Sequence, residues 1–413
     1  MNLETSTCVY LFLEDICRLH YMDSALNPYS PGSGRRPPTL VGRDVELEAF
    51  DTVVARTANC LSSRGIVLTG LRGVGKTVLL NEMYAHAQRH DWLTVRLEAR
   101  RGDAGALATR TALARELVTA ARGLARRSVG ERMRSALATI ASFNAKVGAT
   151  GISLGVDLAK GRADSGDPEI DLLELVEDVA GALGEDKRGF GLFIDEMQDL
   201  DPQTMAALIA AQHTAGQREW PFYIVGAGLP NLPRVLTEAR SYAERLFNYR
   251  PIGKLDTSQA SRALVEPAER LGASYAPDAL RILLEAADGY PYFLQEYGQA
   301  TWNLAPDKVF TDDDALAAVG FGREHLDTGF FRSRWDRATP AERRFLRAMA
   351  DDNDAPSQTA DVARRLGTKL QSLGPARANL MAKGLVYSPE HGQIAYTVPG
   401  MASYIHRSGQ DTD

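Results

Sequence analysis

Three short apolar runs along the chain are each cut off by residues that cannot extend them. Gly65-Ile66-Val67-Leu68-Thr69 runs into a glycine-rich stretch, and Gly191-Leu192-Phe193-Ile194 stops at Asp195-Glu196. The third, Phe222-Tyr223-Ile224-Val225, ends at Gly226-Ala227-Gly228-Leu229-Pro230. Such runs read as strands, and one apolar on both faces, as 191–194 is, belongs between covering helices. Trp92 to Leu97 alternates as a further strand. Between the strands the period changes. Glu46, Leu47, Phe50, Val53 and Val54 recur at helical spacing, as do Val78, Leu79, Leu80, Met83 and Tyr84. A helix over 170–183 turns Leu172, Leu173, Val176, Val179 and Ala180 inward, with Asp167 or a neighbour as its cap and Pro168 in its first turn. The stretch 100–146 is helix-rich, 148–158 reads as a small hairpin, and a helix follows Pro233. The prediction is an α/β fold built on a parallel sheet.

Helical spacing returns at Ala263, Leu264, Leu271, Leu280, Leu283 and Leu284. Near the C-terminus a helix over 340–349 buries Phe345, Leu346 and Met349. A second, over 359–366, ends at Gly367, which suits a C′ position. A third runs over 373–383, with Gly374-Pro375 at its start and Gly384 past its end. Two alternating runs, 385–387 and 393–397, flank the turn Ser388-Pro389-Glu390-His391-Gly392. Three helices and a hairpin in this order predict a winged helix-turn-helix.

At the other end, residues 1–21 have no clear role. Met22 then opens a Pro/Gly/Ser-rich stretch, DSALNPYSPGSGRRPP, that reads as a flexible lead-in. Met22 is an alternative start to Met1. Val9 to Leu13 is apolar, but Glu14 and Asp15 end it and no basic leader precedes it, so no signal peptide is expected.

Composition narrows the class. The chain has 413 residues, 24% charged and 44% hydrophobic, as in ordinary globular proteins of two or three domains. A net charge of −6 argues against a uniformly basic coat. Cys8, Cys17 and Cys60 lack paired or metal-ligand spacing, so reduced thiols and a cytoplasmic location are expected. No apolar run reaches the roughly 18 residues of a membrane helix.

The chemistry starts at Gly70-Leu71-Arg72-Gly73-Val74-Gly75-Lys76-Thr77, which fits G-x-x-x-x-G-K-[ST] between a strand and a helix start. Glycines let the backbone curl its N–H groups inward, and the helix N-terminus adds positive charge. With Val78, these residues form the expected phosphate site. Lys76 would reach the β- and γ-phosphates of ATP, and the Thr77 hydroxyl would bind Mg²⁺. At the end of 191–194, Asp195 would hold Mg²⁺ and Glu196 would orient the attacking water. Arg245 is a candidate arginine finger, or else an exposed arginine paired with Glu244 or Glu238. Two basic stretches stand apart. Residues 100–146 hold ten basic against three acidic side chains, including Arg126 and Arg127, and read as an anion-binding surface or a solvated face. Residues 359–384 hold five against one, so Lys369, Arg377 and Lys383 are candidate contacts to duplex DNA.

Together LVGRDVELEAF, GLRGVGKT, GLFIDEMQDL, YIVGAGLP, ERLF and GYPYFLQEYG make the chain resemble the AAA+ ATPases, in their origin-recognition-like and STAND-related branch. The resemblance runs from about residue 39 to the C-terminus. It implies a flexible segment over 1–38, an AAA+ P-loop core over 39–254, a helical lid and connector over 255–338, and the winged helix over 339–408. It also implies that Val41 and Gly42 contact the adenine and that Pro291, in Gly289-Tyr290-Pro291, packs on the nucleotide. Two departures stand out. Ala227 and Gly228 offer no polar side chain at the first-sensor position, and Tyr292 and Phe293 stand where a second-sensor arginine is usual. The implied activity is slow ATP hydrolysis in a molecular switch, in a chain that is a candidate homo-oligomer. Its winged helix either binds DNA or docks on protein, its own ATPase core included.

Overall fold

The computed structural model describes residues 22–125, 131–147 and 162–408. The segment 1–21, the hairpin expected over 148–158, and Arg126 and Arg127 lie outside the described residues. Those residues divide into two units. One holds 43–253 and 334–408, the other 22–42 and 254–333.

The first unit is built on five parallel strands: β1 (Gly65–Thr69), β2 (Leu93–Glu98), β3 (Phe190–Asp195), β4 (Phe222–Gly228) and β5 (Phe247–Pro251). Their order is β2-β3-β4-β1-β5, with the glycine-rich turn leaving a strand flanked on both sides. β1 and β4 are buried along their whole length, as is β3 up to Ile194, because helices cover both faces. Helices α1 (Asp44–Ala58) and α2 (Lys76–Arg89) supply Phe50, Leu79, Leu80 and Met83 to the core. Phe193 sits edge-on to both Phe50 and Tyr84. Across the sheet α3 (Gly102–Ala125), α4 (Glu131–Val147), α5 (Pro168–Glu185) and α6 (Pro202–Gln217) bury Leu117, Ile140, Val176 and Leu208. Asp167 caps α5 as predicted, its side chain accepting from the amides of Glu169 and Ile170. Short helices α7 (Leu232–Ala239) and α8 (Ala243–Leu246) lead into β5.

β5 escaped the pattern analysis. Its sequence, FNYRP, is mostly polar because an edge strand pairs on one side only, and Pro251 is tolerated there for the same reason. Part of the basic stretch 100–146 has a structural account among its described residues. Arg101 pairs with Asp199, Arg110 with Asp201 and Arg132 with Glu185, so these arginines tie α3 and α4 to neighbouring elements.

The other unit is helical, with α9 (Thr257–Glu269), α10 (Pro277–Ala287), α11 (Pro291–Leu304) and α12 (Asp312–His325). Two-residue strands Ser274–Tyr275 and Val309–Phe310 pair in parallel. The lead-in read as flexible is anchored here from Met22 onward. Tyr29 is only 2% exposed, and its hydroxyl reaches the Leu264 carbonyl and lies 2.7 Å from the Tyr275 hydroxyl. Asn27 bonds to the Gln299 carbonyl and to Asn303. One buried aromatic outweighs a composition that otherwise favours disorder.

Residues 340–408 form a small module of the first unit. It contains α13 (Pro340–Ala350), α14 (Thr359–Arg365), α15 (Gly374–Ala382) and α16 (Met401–Ser408). Its antiparallel sheet has the order Ser357–Gln358, Gln393–Tyr396, Val386–Tyr387. The first of these strands and α16 were not foreseen. No helix among the described residues is long and apolar enough to cross a membrane.

Candidate functional site

The turn from Gly70 to Gly75 joins β1 to α2. Gly73 and Gly75 have φ of 87° and 94°, the left-handed region that glycine enters without penalty. At Gly70 the constraint is space, since an added Cβ would lie 2.2 Å from the Ile252 carbonyl oxygen. The first helical hydrogen bond of α2 runs from Leu79 N–H to the Gly75 carbonyl. The amides of Gly73 to Val78 therefore find no backbone acceptor among the described residues. Six consecutive unpaired donors at a helix N-terminus suit a polyphosphate.

Sequence reasoning assigned Gly70 and Arg72 to the same cradle. Their amides are engaged elsewhere: Gly70 N–H donates to the Gly228 carbonyl, and Arg72 N–H to the Thr397 carbonyl. Leu71 also turns away from the cradle and packs against Leu229, Tyr387 and Ala395.

Around the turn the polar groups converge. Lys76 is buried, and its ammonium donates to the Leu71 carbonyl at 2.8 Å. Burial pulls its pKa down to about 8; Glu196 and Asp195 oppose this and Arg72 reinforces it. The Thr77 hydroxyl donates to Asp195 Oδ2 at 2.7 Å. Hydroxyl and carboxylate side by side are the hard oxygen donors that magnesium takes. Glu196, at φ 49°, turns the chain out of β3, and its amide donates to Asp195 Oδ1.

Three residues missed by sequence reasoning complete the site. Arg43 is only 8% exposed and donates to the carbonyls of Val74 and Gly253, bracing the turn from behind. Gln198 donates to Glu196 Oε2 at 2.6 Å and accepts from Leu229 N–H at 3.0 Å. It fills the space beside Gly228, where an added Cβ would meet its Oε1 at 2.3 Å. Arg101 donates to Asp199 and to the Met381 carbonyl of the C-terminal module. Arg43 and Gln198 fall within motifs already quoted and Arg101 within the basic stretch, but sequence reasoning assigned none of them this role, since each acts on a partner distant in sequence or, for Gln198, through a side-chain orientation.

Residues 39–225 match the family model described as AAA ATPase domain. This segment is an AAA ATPase domain. Residues 328–405 match a second model, described as a domain of unknown function (DUF8462). No curated protein matches the chain. Among solved structures, the ATPase domain and its surroundings are similar to the Walker-type ATPase PABY2304 of Pyrococcus abyssi. That comparison has 15% identity and a TM-score of 0.56, and covers 92% of this chain and 99% of that one. The likeness is one of fold. The ORC1 protein of Aeropyrum pernix, solved in complex with DNA, matches at 16% identity and TM-score 0.43, covering 91% and 94%. The RuvB Holliday junction branch migration motor of Thermotoga maritima matches at 14% identity and TM-score 0.43, covering 90% and 98%.

The remaining predicted residues are placed as follows. Arg245, on α8, is exposed and makes no ion pair among the described residues; Glu238 pairs with Arg234 instead. Val41, Gly42 and Pro291 belong to the helical unit. There Gly42 takes φ 65° against Gln259, and Pro291 opens α11. Arg377 and Lys383 are turned into the module. Arg377 bonds to the Ser388 hydroxyl and the Gln393 carbonyl, and Lys383 pairs at 2.5 Å with Glu342, which is 2% exposed. Both are needed where they are, because a buried carboxylate and a strand-end carbonyl require donors. Of the three candidate DNA contacts only Lys369 is exposed.

Proposed function

We propose that the ATPase domain is the sensing half of a slow nucleotide switch and that its output is the C-terminal module, read as a winged helix. One observation carries the coupling: the phosphate-binding turn leans on the module, through the 2.9 Å bond from Arg72 N–H to the Thr397 carbonyl and through Leu71. A segment that must adjust to phosphate is thereby in contact with the part that would report it, as a switch requires.

In this reading the amides of Gly73 to Val78 and the Lys76 ammonium bind the phosphates of ATP. Thr77 and Asp195 hold magnesium, which when bound supplies positive charge to the transferred phosphoryl group. Glu196 orients the attacking water. Ala227 and Gly228, with no polar side chain, support slow turnover, as does the absence of an arginine at Tyr292 and Phe293. Val41, Gly42 and Pro291 are proposed as nucleotide contacts on the family resemblance alone. Arg245, exposed and unpaired, is offered to the phosphates of a second copy.

The internal engagement of Arg377 and Lys383 favours a module that docks on its own ATPase domain over one that reads duplex DNA. The test compares amide hydrogen exchange of the full chain with and without ATP, across 70–77 and 373–397. Changed protection in both segments is the expected result; identical protection in the two states refutes the switch. Salt-sensitive binding of a DNA duplex, measured by anisotropy, would return the module to the DNA reading.

A further inference from the structure

Glu196 is held by both of its oxygens. Oε1 lies 3.0 Å from the Arg72 guanidinium, and Oε2 accepts from Gln198 at 2.6 Å. A carboxylate that is to orient water must face water, yet here it faces a cation from the phosphate-binding turn itself. The cation is gripped in turn. The Arg72 peptide is tied to Thr397, whose fully buried hydroxyl donates to the carbonyls of Gly384 and Leu385 and fixes the acceptor within the module. The guanidinium lies beside Gly384, within 3.6 Å of where a Cβ would stand. Gln198 has no freedom either, being pinned between Leu229 N–H and Gly228.

A second tie runs in parallel. Arg101 bridges Asp199, on the turn just after Glu196, to the Met381 carbonyl at the end of α15. The face between them is not tightly filled. A cavity of about 410 Å³ lies there, lined by Arg101, Asp199, Asn231, Met381 and Tyr387 among others. Among the described residues, buried Asn231 finds no hydrogen-bond partner for its Oδ1. A face that leaves an open cleft and an unmet acceptor buries less surface on closure than a packed core does, so its docking is reversible at modest cost.

We propose that Arg72 is a latch on Glu196: while the C-terminal module is docked, Arg72 holds the carboxylate away from water, and undocking of the module releases it for hydrolysis. Arg72 is a positioning residue here, acting through Glu196. The inference rests on the reading of Glu196 as the residue that orients the attacking water.

The test uses the full chain and steady-state ATP hydrolysis. Arg72→Gln removes the latch directly. Arg101→Ala loosens the module from a partly exposed position, without touching the phosphate-binding turn or the module's core. A half-exposed ion pair is worth up to roughly 1 kcal/mol, so kcat should rise about two- to fivefold in each variant. KM for ATP should stay within about twofold, and the double variant should be no faster than Arg72→Gln alone. Arg72→Lys, which keeps the charge, should remain closer to the parent rate. An unchanged or lowered kcat in either single variant, with ATP binding retained, overturns the latch, as does additivity in the double variant. Glu196→Gln in the same assay separates the two readings. Parent-rate turnover there refutes the role of Glu196 itself, whereas lost turnover there, with no activation in Arg72→Gln, refutes the latch alone.

Discussion

The depressed pKa of Lys76 makes ATP affinity depend on pH in a direction that can be worked out. An ordinary lysine would stay charged throughout, but burial brings this one to about 8 in the free protein. If only the ammonium binds phosphate, the apparent Kd equals the intrinsic value divided by the charged fraction. That fraction is about nine-tenths at pH 7, about half at pH 8 and about one-tenth at pH 9. ATP should therefore bind about twofold more weakly at pH 8 than at pH 7, and about tenfold more weakly at pH 9. Binding at pH 8 to 9 must also take up a proton, which calorimetry in two buffers of different ionisation enthalpy measures directly. The contribution of Lys76 to the stability of the free protein has the opposite sign. Between pH 8 and 10.5 the unfolded chain binds more protons at this site, so stability rises with pH over that window, by an amount on the order of 3 kcal/mol. Falling affinity beside rising stability cannot come from general unfolding. Lys76→Ala should bind weakly and show no such slope. A Kd that is flat from pH 7 to 9 in the parent chain would refute the placement of Lys76 at the phosphates.

Glu196→Gln should keep ATP affinity while single-turnover hydrolysis falls at least about a hundredfold, since the water loses its acceptor but the Thr77–Asp195 pair is untouched. Arg43→Ala leaves the Val74 and Gly253 carbonyls without their charged donor. It should cost about 2 to 3 kcal/mol in urea unfolding and weaken ATP binding, and an unchanged midpoint would show the brace to be idle. Lys383→Ala strips the buried Glu342 of its cation, although the Thr339 amide remains. Destabilisation of about 2 kcal/mol is expected, reduced from the fully buried case because Lys383 is partly exposed. Any DNA affinity should be unaffected at temperatures where the variant stays folded, and a selective loss of DNA binding would restore Lys383 to the phosphate-contact role.

Much of the site was legible in the chain because its chemistry is local. A phosphate-binding turn needs glycines, a lysine and a hydroxyl within eight consecutive residues, and a strand that presents acids must break its apolar run where they begin. The period of apolar positions likewise reports burial one element at a time, so the helices over 44–58 and 168–185 and strands β1, β3 and β4 could be read directly. Edge strand β5 could not, because only one of its sides is paired and its residues are largely polar. The anchoring of the lead-in by Tyr29 was equally hidden, since one aromatic among prolines and glycines has no period.

Side-chain direction and distant partnership were decided by packing alone. A list of charges places Arg377 and Lys383 on a basic helix; only the folded module shows them turned inward to Ser388 and Glu342. The phosphate-binding motif names Arg72 as one residue of a cradle. Only the tertiary structure sets its peptide against Thr397, more than three hundred residues away, and its guanidinium against Glu196. The physical reason is the range of the interactions. Backbone conformation and burial periodicity are short-range and leave their mark in neighbouring residues. A hydrogen bond between two side chains depends instead on where the rest of the chain has carried them.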